Sequence, residues 1–166
     1  SNYSTDSGST WHTCQLIEDN ALYDGFFSQV AISGNNVCAV WYQTDGTKYR
    51  IYSNYSTDSG STWHTCQLIE NNTGKNGYNP DVAISGNNVC AVWYQYDGTA
   101  NRIYSNYSSD AGSTWHTCQL IENNTGYPGG NPQVAISGNN TCAVWYQWNG
   151  TANRIYSNYA TFVAGG

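Results

Sequence analysis

The sequence has no methionine and very little charge: five Lys plus Arg and eleven Asp plus Glu make up 10% of 166 residues. The cations are Lys48, Arg50, Lys75, Arg102 and Arg154. Binding a nucleic-acid backbone needs several cations on one face to neutralise phosphates, so nucleic acid is excluded as a partner. Long apolar runs are missing, and no membrane insertion is expected. Helical periodicity is missing too, and frequent Gly, Asn and Asp punctuate the chain too often for helices. No signal-like segment opens the chain. It begins at Ser1, from which a processed or excised product is expected.

Aromatic residues are plentiful, at 15%, with 15 Tyr and 7 Trp, and the net charge is −6. A surface of Asn, Ser, Thr, Gln and Tyr suits hydrogen bonding to neutral partners, glycans included, and protein–protein stacking. Six Cys fall in evenly spaced pairs, Cys14/Cys38, Cys66/Cys90 and Cys118/Cys142, without C-x-x-C spacing. That even count points to disulfides and an oxidising, extracellular compartment. Zinc is the weaker alternative. His12, His64 and His116 each precede a Cys by two residues, but no further ligands are evident. No metal site or cofactor is assigned.

Internal repetition organises the chain. "SNY" recurs at 1, 53, 105 and 157, a period of 52; "WHTCQLIE" recurs at 11, 63 and 115, and "CAVWYQ" at 38, 90 and 142. One domain of three copies is expected, 1–52, 53–104 and 105–156, with a tail at 157–166. A period near fifty fits one propeller blade of four strands. In the second copy "PDVAIS" reads as strand A, "VCAVWYQ" as strand B, "RIYSNYS" as strand C and "TWHTCQLIE" as strand D. "SGNN", "YDGT" and "SDAG" are the turns, the Asp-Gly pair tolerating the positive φ of a tight hairpin. The fold class is therefore all-β, with blades of four antiparallel strands.

The turn between strands C and D reads S-x-D-x-G-x-T-W three times: Ser4, Asp6, Gly8, Trp11; Ser56, Asp58, Gly60, Trp63; Ser108, Asp110, Gly112, Trp115. It resembles the Asp-box, or bacterial neuraminidase repeat, of sialidase-type β-propellers. The carboxylate can accept N–H groups across the turn, glycine supplies its conformation, and Trp packs over the hairpin. The resemblance implies blade structure and no particular activity, because such boxes lie away from the sialidase active site. A sialidase-like site would need three Arg converging on a carboxylate, a Tyr–Glu pair and an Asp acid. Arg50, Arg102 and Arg154 occupy one repeat position each, which spreads them around a ring. Glu18, Glu70 and Glu122 likewise end strand D in every copy. No catalytic residues are assigned.

The copies diverge in the D-to-A and B-to-C connections, which emerge on one face. These carry Tyr23, Phe26, Phe27, Tyr49, Tyr78, Tyr96, Tyr127 and Trp148, candidates for stacking on sugars or partners. The alternative is that Phe26 and Phe27 fold inward to plug the ring or pack between blades. Sequons at Asn71, Asn123 and Asn149 sit on loops and are the candidate glycan carriers.

The leading expectation is a secreted, non-catalytic, self-assembling structural or adhesive module. The alternatives are a lectin with one glycan site per blade and a sialidase-like hydrolase. Cysteines on strands B and D of one blade lie two strand spacings apart, about 10 Å, beyond the roughly 7 Å a disulfide spans. Bridges between blades are expected instead: Cys14–Cys38, Cys66–Cys90 and Cys118–Cys142. The first strand D has no blade of its own and the last blade no strand D. Three blades fall short of a propeller ring. Completion between chains is therefore expected, residues 9–18 of one pairing onto 153–159 of another, in a six-bladed ring or a fibre. "TFVA" (161–164) would add a further inter-subunit contact.

Overall fold

The structure, a computed structural model, describes residues 1–20, 22–71, 74–124 and 126–162. Its strands are β1 (Gly25–Ser33), β2 (Asn36–Thr44), β3 (Tyr49–Ser56), β4 (Gln67–Leu68), β5 (Gly77–Ser85), β6 (Asn88–Tyr96), β7 (Asn101–Ser108), β8 (Gln119–Leu120), β9 (Gly129–Ser137), β10 (Asn140–Trp148) and β11 (Asn153–Thr161). They form antiparallel meanders: β1-β2-β3-β4, β5-β6-β7-β8 and the three-stranded β9-β10-β11. These are blades 1, 2 and 3. The inner strands stack, β1 on β5 and β5 on β9.

Strand A is longer than its apolar core suggested, because a bulge at Phe27, Asn79 and Asn131 lets pairing continue to Gly25, Gly77 and Gly129. All three bulge residues have positive φ, 52°, 47° and 47°. Strand D is shorter, a two-residue ladder. The chain leading into β8 is held mostly by a side chain: Asn106 Nδ2 donates to His116 O, beside a single ladder-like bond from His116 N to Tyr107 O.

Alternation along each strand B decides what every blade shows its neighbours. Cys38, Val40 and Tyr42 of β2 point at blade 2, where they meet Val82, Val89, Ala91 and Trp93 in one core. Cys90, Val92 and Ile103 of blade 2 meet Ala143 and Trp145 of blade 3 in a second. On the opposite face of β2, Gln43 takes up Glu18 and the carbonyls of Asn20 and Tyr23. Residues 1–20 thus sit on blade 1 as the strand D and Asp-box of a preceding blade. His12 N bonds Tyr3 O and Gln15 N bonds Ser1 O within this hairpin.

The six cysteines are free thiols, so the expected bridges Cys14–Cys38, Cys66–Cys90 and Cys118–Cys142 are not formed. The faces are the reason. Cys38 points toward blade 2, where its Sγ lies 3.5 Å from the Cβ position of Gly112. Residues 11–18 lie against the other side of β2. The cysteine of strand D looks back at the preceding blade while its neighbours Gln67 and Ile69 look on to the next, and Cys118 packs on the core that contains Cys38. The inference to an oxidising compartment, which rested on paired cysteines, loses its support here.

Burial pushes the Cys38 thiol up to about 12 and Cys90 to about 11. Thiolates are the reactive form, so both should be inert in the native fold. We expect six alkylated cysteines after unfolding without reductant, and no labelling of Cys38 or Cys90 under native conditions, both read by mass spectrometry. A requirement for reductant would contradict the free-thiol structure.

Candidate functional site

The Asp-box turns form as the sequence implies. Asp58 Oδ1 accepts from Thr62 N at 2.8 Å and Ser56 Oγ at 2.8 Å, Oδ2 from Thr62 Oγ1 at 2.7 Å, and Ser56 Oγ accepts from Gly60 N at 2.9 Å. Asp6 and Asp110 repeat the pattern with Ser4 and Thr10, and with Ser108 and Thr114. Glycine is required here: Gly8, Gly60 and Gly112 have φ of 88°, 88° and 95°, each after another left-handed residue. The Ser4 hydroxyl, then Thr10, hold the Asp6 carboxyl down at about 2. The N–H and hydroxyl of Thr62 hold Asp58 at about 2. Trp63 and Trp115 are half-buried, whereas Trp11 is exposed.

The boxes lie at one end of the blades with the A-to-B turns, as Ser59 N to Asn35 O and Ala111 N to Asn87 O show. The variable connections share the opposite end: Tyr23 lies over Gly46, Lys75 over Gly98 and Tyr127 over Gly150.

The arginines do not converge. Arg50 binds Asp45 at 2.7 Å and Glu70 at 3.1 Å; Arg102 binds Asp97 at 2.7 Å and reaches Glu122 at 3.6 Å. The Thr47 hydroxyl is the largest cause keeping Asp45 well below the usual carboxylate range. Burial opposes the same shift at Asp97 but is outweighed by Thr99, Ala100 N and Arg102. In blade 3 an Asn replaces the Asp. Asn149 keeps the turn, accepting from Thr151 and Ala152 N, and Arg154 is exposed with no ion pair among the described residues.

The glutamates carry a role that reading the sequence did not find. Glu70 ends strand D of blade 1 and accepts Gln95 Nε2 of blade 2 at 3.1 Å; Glu122 accepts Gln147 of blade 3 at 2.7 Å. Glu18 accepts Gln43 in the same way. Each Gln carbonyl in turn accepts a buried Trp indole, Trp41, Trp93 or Trp145. The discoverable trace was the recurrence of Trp-Tyr-Gln in strand B together with Glu at the end of strand D.

Of the aromatic candidates, Phe26, Phe27, Tyr49 and Tyr78 gather around Tyr42. Centroid separations to Tyr42 are 5.6, 5.6, 5.4 and 5.3 Å, and Tyr94 adjoins Tyr78 at 5.6 Å. Phe26 and Phe27 therefore pack on Tyr42 beside Tyr78 of blade 2 and remain partly exposed. Between the bulges of blades 2 and 3, Asn79 Nδ2 bonds Asn131 Oδ1. Tyr23, Tyr96, Tyr127 and Trp148 stay apart, spread along the blades; the Lys75 ammonium lies over Tyr96 at 5.7 Å. Among the described residues no group of three His, Cys, Asp or Glu could hold a metal. The histidines lie flat on tyrosines instead, His12 on Tyr3, His64 on Tyr55 and His116 on Tyr107, at 4.0–4.1 Å.

Asn71 and Asn123 are exposed, and their sequon threonines, Thr73 and Thr125, lie outside the described residues. Asn71 Oδ1 accepts the Cys118 thiol. The proposed strand at 161–164 is described only to Phe162, with Val163 and Ala164 outside the described residues.

A family profile described as BNR repeat-like domain matches residues 2–151, and the chain belongs to that family. No curated protein shows a significant match. Among solved structures, a protein of unknown function from Dyadobacter fermentans is similar at 16% identity, TM-score 0.58, over 95% of this chain and 43% of its own. A family 117 glycoside hydrolase from Zobellia galactanivorans is similar at 10% identity, TM-score 0.55, over 83% of this chain and 52% of its own. The sialidase of Trypanosoma rangeli follows at 10%, TM-score 0.52, over 84% and 32%. At such identity the likeness is one of fold, the β-propeller. The chain spans between a third and half of these relatives' length.

Two predictions follow from the charges. Arg102→Ala strands the buried Glu122 and should cost about 3–5 kcal/mol in denaturant unfolding, whereas Arg154→Ala should stay within about 0.5 kcal/mol. Acid should also unfold the protein in a defined window. A carboxyl whose folded value is lowered stabilises fully above its unfolded value near 4 and loses that contribution as pH falls through the folded value. Asp6, Asp58, Asp45, Asp97 and Asp110 all behave so. Asp81 opposes them: burial raises it, so its charge costs stability until acid neutralises it. Five outweigh one, and thermal stability should drop between about pH 4 and pH 2, a drop that Asp58→Asn makes shallower.

Proposed function

We propose that this chain is a non-catalytic propeller module that works by assembling with copies of itself, as a structural or adhesive element. One observation supports it. Repeat-equivalent residues are buried wherever a neighbouring blade exists and bare where it does not. Ile51 and Ile103 are 0% exposed but Ile155 is 77%; Val82 is 6% exposed but Val30 is 66%. The bare residues of blade 3 (Val144, Tyr146, Ile155) and of blade 1 (Val30, Ile32) lie on faces that no complete blade covers among the described residues. Exposed apolar surface of this kind marks an interaction site. The symmetric engagement of Arg50 and Arg102 within their blades argues against a converging hydrolytic site.

A lectin reading draws on the aromatic group of Phe27, Phe26, Tyr42, Tyr49 and Tyr78, since pyranose faces stack on such rings. A glycan array tests it.

The assembly reading predicts particles of at least two chains by sedimentation at micromolar concentration, and no turnover of a fluorogenic sialoside. A stable monomer, or hydrolysis by the wild type that Arg102→Ala abolishes, would overturn it.

A further inference from the structure

The B-to-C hairpins of the three blades share one frame and differ at one polar atom. Asp45, Asp97 and Asn149 each donate N–H to the carbonyl three residues on, that of Lys48, Ala100 or Ala152. Each Oδ1 accepts the same set of donors at 2.7 to 3.0 Å, which on Asn149 are Thr151 N, Thr151 Oγ1 and Ala152 N. An amide nitrogen cannot accept these donors, so the oxygen of Asn149 is fixed there and Nδ2 takes the other position. In the other two blades that position is a carboxylate oxygen, which accepts Nε of Arg50 or Arg102 at 2.7 Å. Those pairs close within one hairpin and depend on nothing beside the blade. Asn149 offers Arg154 a donor where an acceptor is needed.

We propose that Asn149–Gly150 is a self-modifying site: the Gly150 nitrogen displaces the Asn149 amide, and the aspartate that water then forms takes up with Arg154 the ion pair the other two blades already hold. The reaction is an intramolecular acyl transfer. Gly150 N loses its proton to hydroxide and bonds Asn149 Cγ. The Cγ–Nδ2 bond breaks, and Nδ2 takes a proton from water and leaves as ammonia. Water opens the cyclic imide. Cleavage at Cγ gives aspartate. Cleavage at the main-chain carbonyl gives isoaspartate, whose extra backbone carbon disturbs the pairing of β10 with β11.

The hairpin favours the first step. The donors on Oδ1 stand where negative charge develops as nitrogen adds to Cγ, which makes them an oxyanion hole. Gly150 is exposed and has no Cβ to shield its nitrogen. Gly46 N–H is held by Thr44 Oγ1 at 3.1 Å, but Trp148 brings no hydroxyl to the equivalent place, and among the described residues no acceptor takes Gly150 N–H.

The other candidate pairs are protected. The carboxyls of Asp45 and Asp97 are held well below the usual carboxylate range, and a carboxylate resists nucleophiles. Asn76–Gly77 is the second Asn–Gly pair of the chain. Gly77 is buried in β5 opposite Gln95, and Asn76 Oδ1 accepts Tyr49 N at 3.0 Å. Closing the imide there would break the ladder. Asn149 is also a candidate glycan carrier, and the two fates exclude each other because both consume Nδ2.

Unglycosylated protein incubated at mildly alkaline pH tests the site by peptide mapping. We expect the mass gain of an amide-to-acid exchange at Asn149 and none at Asn76, faster as pH rises, with one heavy oxygen incorporated from labelled water. Thr151→Val should slow the conversion about tenfold and Thr151→Ser restore it. Asn149→Asp should reduce the unfolded fraction at fixed denaturant about threefold, a gain that Arg154→Ala removes. A folded protein that stays unconverted while the denatured chain reacts at both Asn–Gly pairs would overturn the proposal. So would faster conversion in Thr151→Val, which would make the hairpin a guard of the amide. An Asn149→Asp protein no more stable than wild type would overturn the ion pair.

Discussion

The carboxylate at the end of each strand D is shared between two blades. Glu70 receives Arg50 from its own blade and Gln95 from the next, and both its neighbours are buried with it. An ion removed from water keeps its charge only where donors replace the lost hydration. The donors come from two sheets, so the charge is tolerable only when the sheets stand in one relative position. The apolar columns beside it, Val40 on Val89 and Trp93, supply attraction but little direction. The glutamate fixes register, and a buried polar group used in this way specifies an arrangement more than it stabilises one.

From that constraint the repeat arrangement follows. Gln43, Gln95 and Gln147 orient the indoles of Trp41, Trp93 and Trp145, whose rings fill the space behind strand A. Gly77 and Gly129 are open there because a Cβ would come within 2.9 Å of Ile51 or 3.1 Å of Ile103. The boxes are self-contained by comparison. Asp6 makes its full set of bonds although no strand A or B precedes it among the described residues, which explains why such turns recur on propellers with unrelated activities.

Much of this was legible in the sequence. The period, the strand order and the turn residues came from repeated words alone, because local hydrogen bonding dictates them. What lay between blades was less accessible. The cysteine pairing failed because the sequence shows that Cys38 and Cys66 alternate with their neighbours but not which face meets which blade. Tyr42, the centre of the aromatic cluster, looked like an ordinary strand residue, and its role depends on Phe26 and Tyr78 arriving from two different strands. The Glu–Gln link was hidden similarly: 25 residues separate Glu70 from Gln95, across a loop whose course nothing local fixes.

Contacts here run within a blade or to the next one along, which makes the energetics those of a linear array. Each sheet is a meander of sequential hairpins, so it can form from local encounters before any stacking occurs. Stability should then be graded along the chain. Blade 2, covered on both sides, belongs to the slowest-opening unit, and its β6 amides should exchange with solvent last.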